Sequence, residues 1–426
     1  MAAAALFATV EARTARAEAL KAESVNKVLS GMLSTFGDYG FDPQKYTVAE
    51  MLAAAERDLE KGPKKDPLVE ATVRRSLADS YTGLSRFADA KRQIDRAIPI
   101  LEKLGDKMEL AAALSVQARI DQNDGNLEAM VLHLNQSLDL LMRLGPEAPA
   151  EAIFDAKLTL AQALSPQAGL NRDLARARRL TEEAIELARR DASISRVGLA
   201  LALSEMGSIL AEEQKPVEAE KVLLEALATG RGEDPGGTWE LNPLFTLHGI
   251  RDRAGDLAGS EAYASQEVQV MAHRVGPNHL MTAVARIQWA SLAARNHEIQ
   301  PAVEAVDQAM PIVMKDAAPA SPNRWIGARD SSLVMRLAGR LSDAEHYARL
   351  ALSAAQAQHL SDSDARLANS WEQLGYALAA EKKIAESIQC LKEAQSIYAR
   401  AGAGWVATRE AVGRRLAEIE KLSNPK

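Results

Sequence analysis

One pattern constrains this chain more than any other: a unit of about forty residues returns along most of its 426 residues. The segment DRAIPILEK at Asp95–Lys103 recurs as DQAMPIVMK at Asp307–Lys315, with Asp, Ala, Pro, Ile and Lys in the same five places. A small residue ahead of an apolar run recurs at Ala90, Ala177, Ala219, Ser260, Ala302, Ala344 and Ser387, and Met130 fills the slot between the first two. The steps are 40, 47, 42, 41, 42, 42 and 43 residues. A unit that regular is one supersecondary element whose apolar face is buried only by the next copy, so a stacked array is expected.

Within each unit the apolar spacing is helical on both sides of a short polar turn. In the last unit Trp371, Leu374, Gly375 and Leu378 share one face, the sequence EKK forms the turn, and Ile384, Ile388, Leu391 and Ala394 lie on a second helix. The tiny side chain in the first helix lets two helices approach closely. Composition agrees: 47% of the chain is apolar but only 4% aromatic, and the abundant Ala is the strongest helix former.

These residues resemble the tetratricopeptide repeat, whose loose signature is W-x2-L-G-x2-Y followed by A-x3-F-x2-A. Unit one carries Leu77, Ala78, Tyr81, Phe87, Ala90, Ile94 and Ala97, and unit four carries Leu203, Met206, Gly207, Leu210, Ala219, Leu223 and Ala226. Unit six supplies Trp289, Ala290, Ala302, Val306 and Ala309. Four units depart from the signature: unit two has Gln117 and Asp121 at apolar positions, unit three inserts residues around Pro166, unit five has His248 at the small-residue slot, and unit seven has Ser331 and Ser332. A period near 42 exceeds the ordinary 34. The bridge RVGPNHLMTAVA (Arg274–Ala285) looks like the link of the longer, kinesin-light-chain-like variety, with Leu280 in place of the expected Pro. The resemblance implies an all-α fold, a right-handed superhelical α-solenoid of about eight hairpins over residues 70–403, closed by a capping helix and tail at 404–426.

The apolar run Met1–Val10 is half the roughly 20 residues that span a bilayer, and it lacks the basic flank and cleavage site of a secretory signal. Leu20, Val25, Val28, Leu29, Met32 and Leu33 then recur at helical spacing, so residues 1–37 are read as an N-terminal helix whose start is a candidate remnant of a membrane span. Thr47 and Glu50 form a capping box that opens a connecting helix at 44–62. The order ESVNKVLSGML, TVAEMLAAAERDLEKG, PLVEATVRRSLADSY resembles the region joining membrane helix to repeats in bacterial receptor-type serine/threonine protein kinases. That resemblance implies a competing reading, the sensory or scaffolding part of such a kinase without its catalytic domain, anchored in a membrane with the repeats outside the cytoplasm. It would require apolar codons upstream of Met1.

The chemistry-bearing patterns are few. A net charge of -7 and a pI near 5.7 oppose nucleic-acid binding, which rests on neutralising phosphates. Cys390, the single cysteine, excludes an intramolecular disulfide or a multi-cysteine metal site, and reads as a small buried thiol. No kinase signature is present. GAGWVA (Gly402–Ala407) fits a dinucleotide fingerprint only formally, because it follows a helix rather than a strand. GRGEDPGG (Gly230–Gly237) suits an inter-repeat turn. Ser24 and Lys27 match S-x-x-K without a partner motif, no two of the seven histidines sit at metal-ligand spacing, and the basic run at Arg176–Arg179 is followed by Glu182 and Glu183 at ion-pair spacing.

What remains is a surface. In the repeat family the first helices line a concave groove, and the groove-facing positions carry here Arg75, Asp79, Ser115, Arg119, Gln162, Ser208, Phe245, Arg295, Arg329, Asp330, Arg336, Glu372 and Tyr376. Arginines and aromatics most often carry binding energy. These side chains are expected to be exposed, so that Arg329, Arg336 and Tyr376 could be removed with little cost to folding. Arg75 with Asp79 departs from the Lys and Asn set of repeats that clamp chaperone carboxylates. The reading is a cytoplasmic, non-catalytic scaffold that binds a protein or peptide, with no cofactor, no metal and no nucleic acid, and with a membrane only if Met1 lies inside a longer apolar helix.

Overall fold

The structure is a computed structural model that describes residues 47–61, 66–165 and 173–423. Residues 1–37, with Ser24 and Lys27, and the insertion around Pro166 lie outside the described residues. Among those described, every regular element is helical and no strand occurs. No helix among them is long and apolar enough to cross a membrane. The chain divides at residue 209 into two compact units.

The first unit holds α1 (Val48–Lys61), α2 (Pro67–Gly83), α3 (Phe87–Leu104), α4 (Lys107–Asn123), α5 (Leu127–Leu144), α6 (Ala150–Leu164) and α7 (Leu174–Arg190), and the division falls within α8 (Arg196–Glu212). The second holds α9 (Pro216–Arg231), α10 (Leu241–Arg253), α11 (Leu257–Val275), α12 (Leu280–Arg295), α13 (Ile299–Asp316), α14 (Pro322–Leu337), α15 (Leu341–Ala357), α16 (Ala365–Ala380), α17 (Ile384–Ala401) and α18 (Val406–Ser423). The all-α solenoid architecture inferred from the period is thus the architecture observed.

Local chemistry starts and ends these helices. The Thr47 and Glu50 capping box forms as read: the Thr47 amide donates to Glu50 Oε2 at 2.7 Å and the Glu50 amide to Thr47 Oγ1 at 3.3 Å. Asp66, Asp106, Ser321 and Asp364 side chains accept from the first-turn amides of α2, α4, α14 and α16. The described turns inside hairpins share one backbone device. Ser85, Gly125, Gln214, Gly255, His297, Gly339 and Lys382 all have positive φ, and the amide of the next residue bonds back to a carbonyl of the preceding helix at 2.8–2.9 Å, as in Arg86 to Tyr81, Glu298 to Ala293 and Lys383 to Leu378. This is the helix-ending ring that satisfies an orphan carbonyl. Four of the seven sites hold a side chain where glycine is unstrained.

The recurring small residue explains the packing. Ala90, Met130, Ala177, Ala219, Ser260, Ala302, Ala344 and Ser387 each occupy the fourth position of α3, α5, α7, α9, α11, α13, α15 and α17, and all are buried. Twelve residues before most of them stands the first-helix partner slot: Ala78, Ala118, Ala290, Ser332 and Gly375 are all buried as well. The apolar runs around these slots make the cores. In the first unit Leu77, Tyr81, Ile94 and Leu101 pack together with Val116 and Ile120; in the second, Ile287, Val306, Val313, Val334 and Met335 do so.

Several departures from the signature are met by hydrogen bonds, though the buried Ser331 hydroxyl has no partner among the described residues. Ser332, read from sequence as a departure, fills the slot of its hairpin: its hydroxyl donates to the carbonyl of Ala344 at 2.8 Å. In the next hairpin the roles reverse, and the Ser387 hydroxyl donates to the carbonyl of Gly375 at 2.7 Å. In unit two, Gln117 donates to Asp121 at 2.8 Å, and the other Asp121 oxygen meets His133 Nδ1 at 2.6 Å, so buried polar groups at apolar positions are satisfied. His248 in unit five is half-buried and bonded to Glu267 at 2.6 Å. Pro99 and Pro311 of the duplicated segment sit inside continuous helices on exposed faces, where water can take the carbonyl that each proline leaves unpaired.

Two glycine-rich strings also acquire structures. GRGEDPGG turns around buried Trp239, whose Nε1 donates to the Asp234 carbonyl at 3.0 Å, while Glu240 accepts from the Gly236 amide at 2.6 Å and from Arg231 Nε at 2.7 Å. GAGWVA joins α17 to α18, with Trp405 stacked on Tyr398 at 5.5 Å. From there α18 buries Val412, Leu416 and Ile419 against Ala394, Ile397 and Tyr398 of α17.

Candidate functional site

First helices carry the polar side chains that packing does not consume, and the two units display them differently. In the first unit α2, α4 and α6 open onto one cleft of about 350 Å³. It brings together the candidates Arg75, Asp79, Ser115 and Arg119, and adds Asp155 and Thr159 from α6, which the family pattern did not single out. Ion pairs cross from helix to helix: Arg75 Nε lies 2.9 Å from Glu109 Oε2, and Arg119 pairs with Asp79. Glu109 is buried, so the first pair is part of the wall, whereas Arg119 and Asp79 are both about half exposed. Burial first, and the neighbouring Glu151 second, push the Asp155 carboxyl above its ordinary range. Gln162 is exposed on α6 but outside this set. Ser208 is buried, with its hydroxyl donating to the Ser204 carbonyl at 3.2 Å, and this corrects its expected place on an open face.

In the second unit the candidates fall into four places. Phe245 on α10 is 52% exposed and lines an apolar cleft of about 280 Å³ with Met271, Met281 and Val284. Its ring meets His248 edge-on at 4.8 Å. Arg295 on α12 pairs with Asp252 on α10 at 2.7 Å. On α14, Arg329 makes a two-pronged bond to Asp330 at 2.8 and 2.9 Å while its guanidinium lies 4.8 Å from the Trp325 ring. Asp330 is only 6% exposed, so the expectation that it faces a partner is corrected: its carboxylate is spent on its own neighbour.

The fourth place joins α14, α16 and α18. Arg336 lies 5.7 Å from the ring centre of Tyr376, and both line a half-open cleft of about 370 Å³ with Arg415, Glu418, Ile384 and Ile419. Glu372 lies deeper, accepting from the Tyr398 hydroxyl at 2.9 Å, with Tyr376 one turn further on as a second hydrogen-bonding partner. Burial raises the Glu372 carboxyl, against the lowering effect of the hydrogen bonds it accepts from the two phenols, and burial also raises the Tyr376 and Tyr398 phenols, which the Glu372 carboxylate lifts further. Burial likewise lowers Arg336, with the charge of Arg415 acting in the same sense. The expectation that Arg329, Arg336 and Tyr376 are freely exposed is therefore corrected, because all three are half-buried and engaged with neighbours. Arg415 escaped the sequence reading because α18 was assigned to a cap. The available signal was the period itself: α14, α16 and α18 begin at Pro322, Ala365 and Val406, the spacing of successive first helices.

No group of three or more metal-ligating side chains is gathered among the described residues. Cys390 is buried and its thiol is pushed up by that burial.

No protein-family model matches the sequence, and no curated protein sequence matches it. Solved structures do. The apo form of the quorum sensor NprR from B. thuringiensis superposes with a TM-score of 0.55 at 11% identity, over 88% of this chain and 97% of its own. The signal transduction ATPase with a tetratricopeptide repeat sensor from Pyrococcus horikoshii gives 0.53 at 16% identity, over 87% of this chain and 54% of its own. The apo form of RapI gives 0.51 at 13% identity, over 68% and 99%. Hairpin register, small-residue slots and these neighbours agree: the chain has the fold of a tetratricopeptide-repeat-like α-solenoid protein.

Proposed function

We propose that this chain is a non-catalytic scaffold that binds a protein or peptide segment along the faces of its first helices. One observation carries the reading. In the first unit three successive first helices deliver polar side chains to a single open cleft, with Arg119 and Asp79 about half exposed there, while the small-residue slots of the second helices are buried. A surface built that way offers a strip of recognition groups along an open cleft, the form that suits an extended segment. Arg75, Asp79 and Arg119 in the first unit, and Phe245, Arg295, Arg329, Arg336, Glu372 and Tyr376 in the second, are the residues assigned to contact or to position the bound segment. Two structural neighbours are a quorum sensor and a protein with a tetratricopeptide repeat sensor, in keeping with a recognition role.

The test is selection of displayed random dodecamers on the full chain, followed by hydrogen exchange of the chain with the best binder. Enriched sequences with protection centred on α2, α4 and α6, or on α14, α16 and α18, are expected. Failure to enrich any sequence, or protection confined to second helices, overturns the reading.

A further inference from the structure

Arg336 is the candidate whose charge the fold leaves open. Its counterparts on first-helix faces are closed by carboxylates: Arg295 by Asp252 at 2.7 Å and Arg329 by Asp330 at 2.8 Å. Arg336 has no ion pair and no side-chain hydrogen bond among the described residues, only the face of Tyr376 at 5.7 Å. Glu372 is close enough to act on it electrostatically but is committed to Tyr398 at 2.9 Å. Arg415 of α18 brings a second guanidinium to the same cleft, and its own partner is Glu418 at 2.8 Å, a pair more than half exposed on both sides. Such a pair is weak and readily exchanged. A half-buried guanidinium is costly to leave without an anion.

We propose that this cleft takes a carboxylate side chain, an Asp or Glu of the bound segment, held by Arg336 and Arg415. The inference rests on the peptide-binding reading above and names the chemistry of one contact within it. A guanidinium presents N–H groups in a planar fork that matches a carboxylate. Tyr376 holds the Arg336 guanidinium in place, and Ala379, Ala380, Ile384 and Ile419 surround the charge with apolar wall, which favours a short anionic side chain carried on an apolar neighbour. Within about 370 Å³ there is room for one or two residues of a peptide rather than a folded domain.

The experiment uses the full chain and dodecamers with amidated C-termini, so that a terminal carboxylate cannot substitute for a side chain. Binders are selected on the wild-type chain, and the strongest is synthesised with each acidic residue changed in turn to its amide. Expected are a shared Asp or Glu among binders, a loss of at least tenfold in affinity on changing that residue, a similar loss with Arg336→Gln, and no further loss when both changes are combined. Arg415→Gln, on the exposed side, should give a smaller loss with an unchanged melting temperature, and it serves as the readout if Arg336→Gln perturbs folding. Binders without a common acidic residue, or peptide and protein changes whose losses simply add for both arginines, overturn this inference while leaving the scaffold reading intact. Failure to select any binder overturns the scaffold reading itself.

Discussion

Replacing Gly375 by Ala tests the close approach on which the hairpin of α16 and α17 depends. A methyl placed there stands 2.7 Å from Cγ and Cδ2 of Leu391 and 3.4 Å from the carbonyl oxygen of Ser387. Leu391 is fully buried beside Ala394, Ile397 and Tyr398 and has little space to turn into. Overpacking of this kind costs about 1–3 kcal/mol. Against it stands roughly 1 kcal/mol of helix propensity gained by replacing Gly with Ala. The net loss is about 0–2 kcal/mol, too broad a range to decide the matter alone. The decisive quantity is the coupling. Leu391→Ala by itself should cost about 2–5 kcal/mol through the cavity it leaves. In that background the new methyl at 375 keeps only an ordinary contact with the Ser387 carbonyl oxygen, so the same Gly375→Ala change should become stabilising by roughly 1 kcal/mol. A reversal of sign, with a coupling of about 1–3 kcal/mol, is therefore expected. Hydrogen exchange of the α16 and α17 amides reads the local opening free energy in the four proteins without assuming that the whole array unfolds in one step. An equal effect of Gly375→Ala in both backgrounds would refute the argument from close approach.

Three further outcomes are expected. The Glu205 carboxyl is 5% exposed, has one oxygen without a partner among the described residues, and is raised by burial from 4.5 to about 7. Because the native carboxyl holds its proton more tightly than the unfolded one, stability should fall by roughly 3 kcal/mol as pH rises from 4.5 to 7 and then level off; Glu205→Gln should remove that decline in urea titrations across this range. Arg329→Ala should destabilise by on the order of 3 kcal/mol, since it strands the buried Asp330 carboxylate, whereas changing both residues to apolar ones should recover most of the loss in thermal melts. Gln214→Gly and His297→Gly should each raise the unfolding free energy in urea titrations by about 0.5–1 kcal/mol, because both side chains sit at positive φ, +61° and +71°.

The register of the hairpins was legible in the sequence because close helix contact demands a small residue at the same point of every unit, and that demand leaves a periodic mark. Every small-residue position named from the 42-residue period is the fourth residue of a second helix and is buried. The turns were legible as polar breaks, but not the left-handed residue within each: Ser85, Gln214, His297 and Lys382 give no sign in their identities, and the hydrogen-bond ring that ends each helix imposes the conformation. Ser332 looked like a defect for a related reason, since a hydroxyl is read as polar until the carbonyl of Ala344 is seen within reach.

The groove candidates divide along the same line. Periodicity could place Arg295, Arg329 and Arg336 on first-helix faces, and all three do lie on α12 and α14. Which of them keeps an open charge was settled by neighbours that periodicity does not specify: Asp252, 43 residues before Arg295, closes one, the bidentate fork to Asp330 closes another, and Glu372, drawn to Tyr398, leaves Arg336 open. Arg415 joins that cleft only because the last helix packs as though another hairpin began there. Burial of the small and apolar positions follows from a pattern along one helix and its copies, so the sequence alone determined it there, whereas the burial of Ser208 and Asp330 on first helices came only with their neighbours. Charge pairing depends on side-chain geometry at a few ångströms, between helices for Arg295 and Asp252 and along one buried helix face for Arg329 and Asp330, and that geometry is set only once the hairpins have stacked.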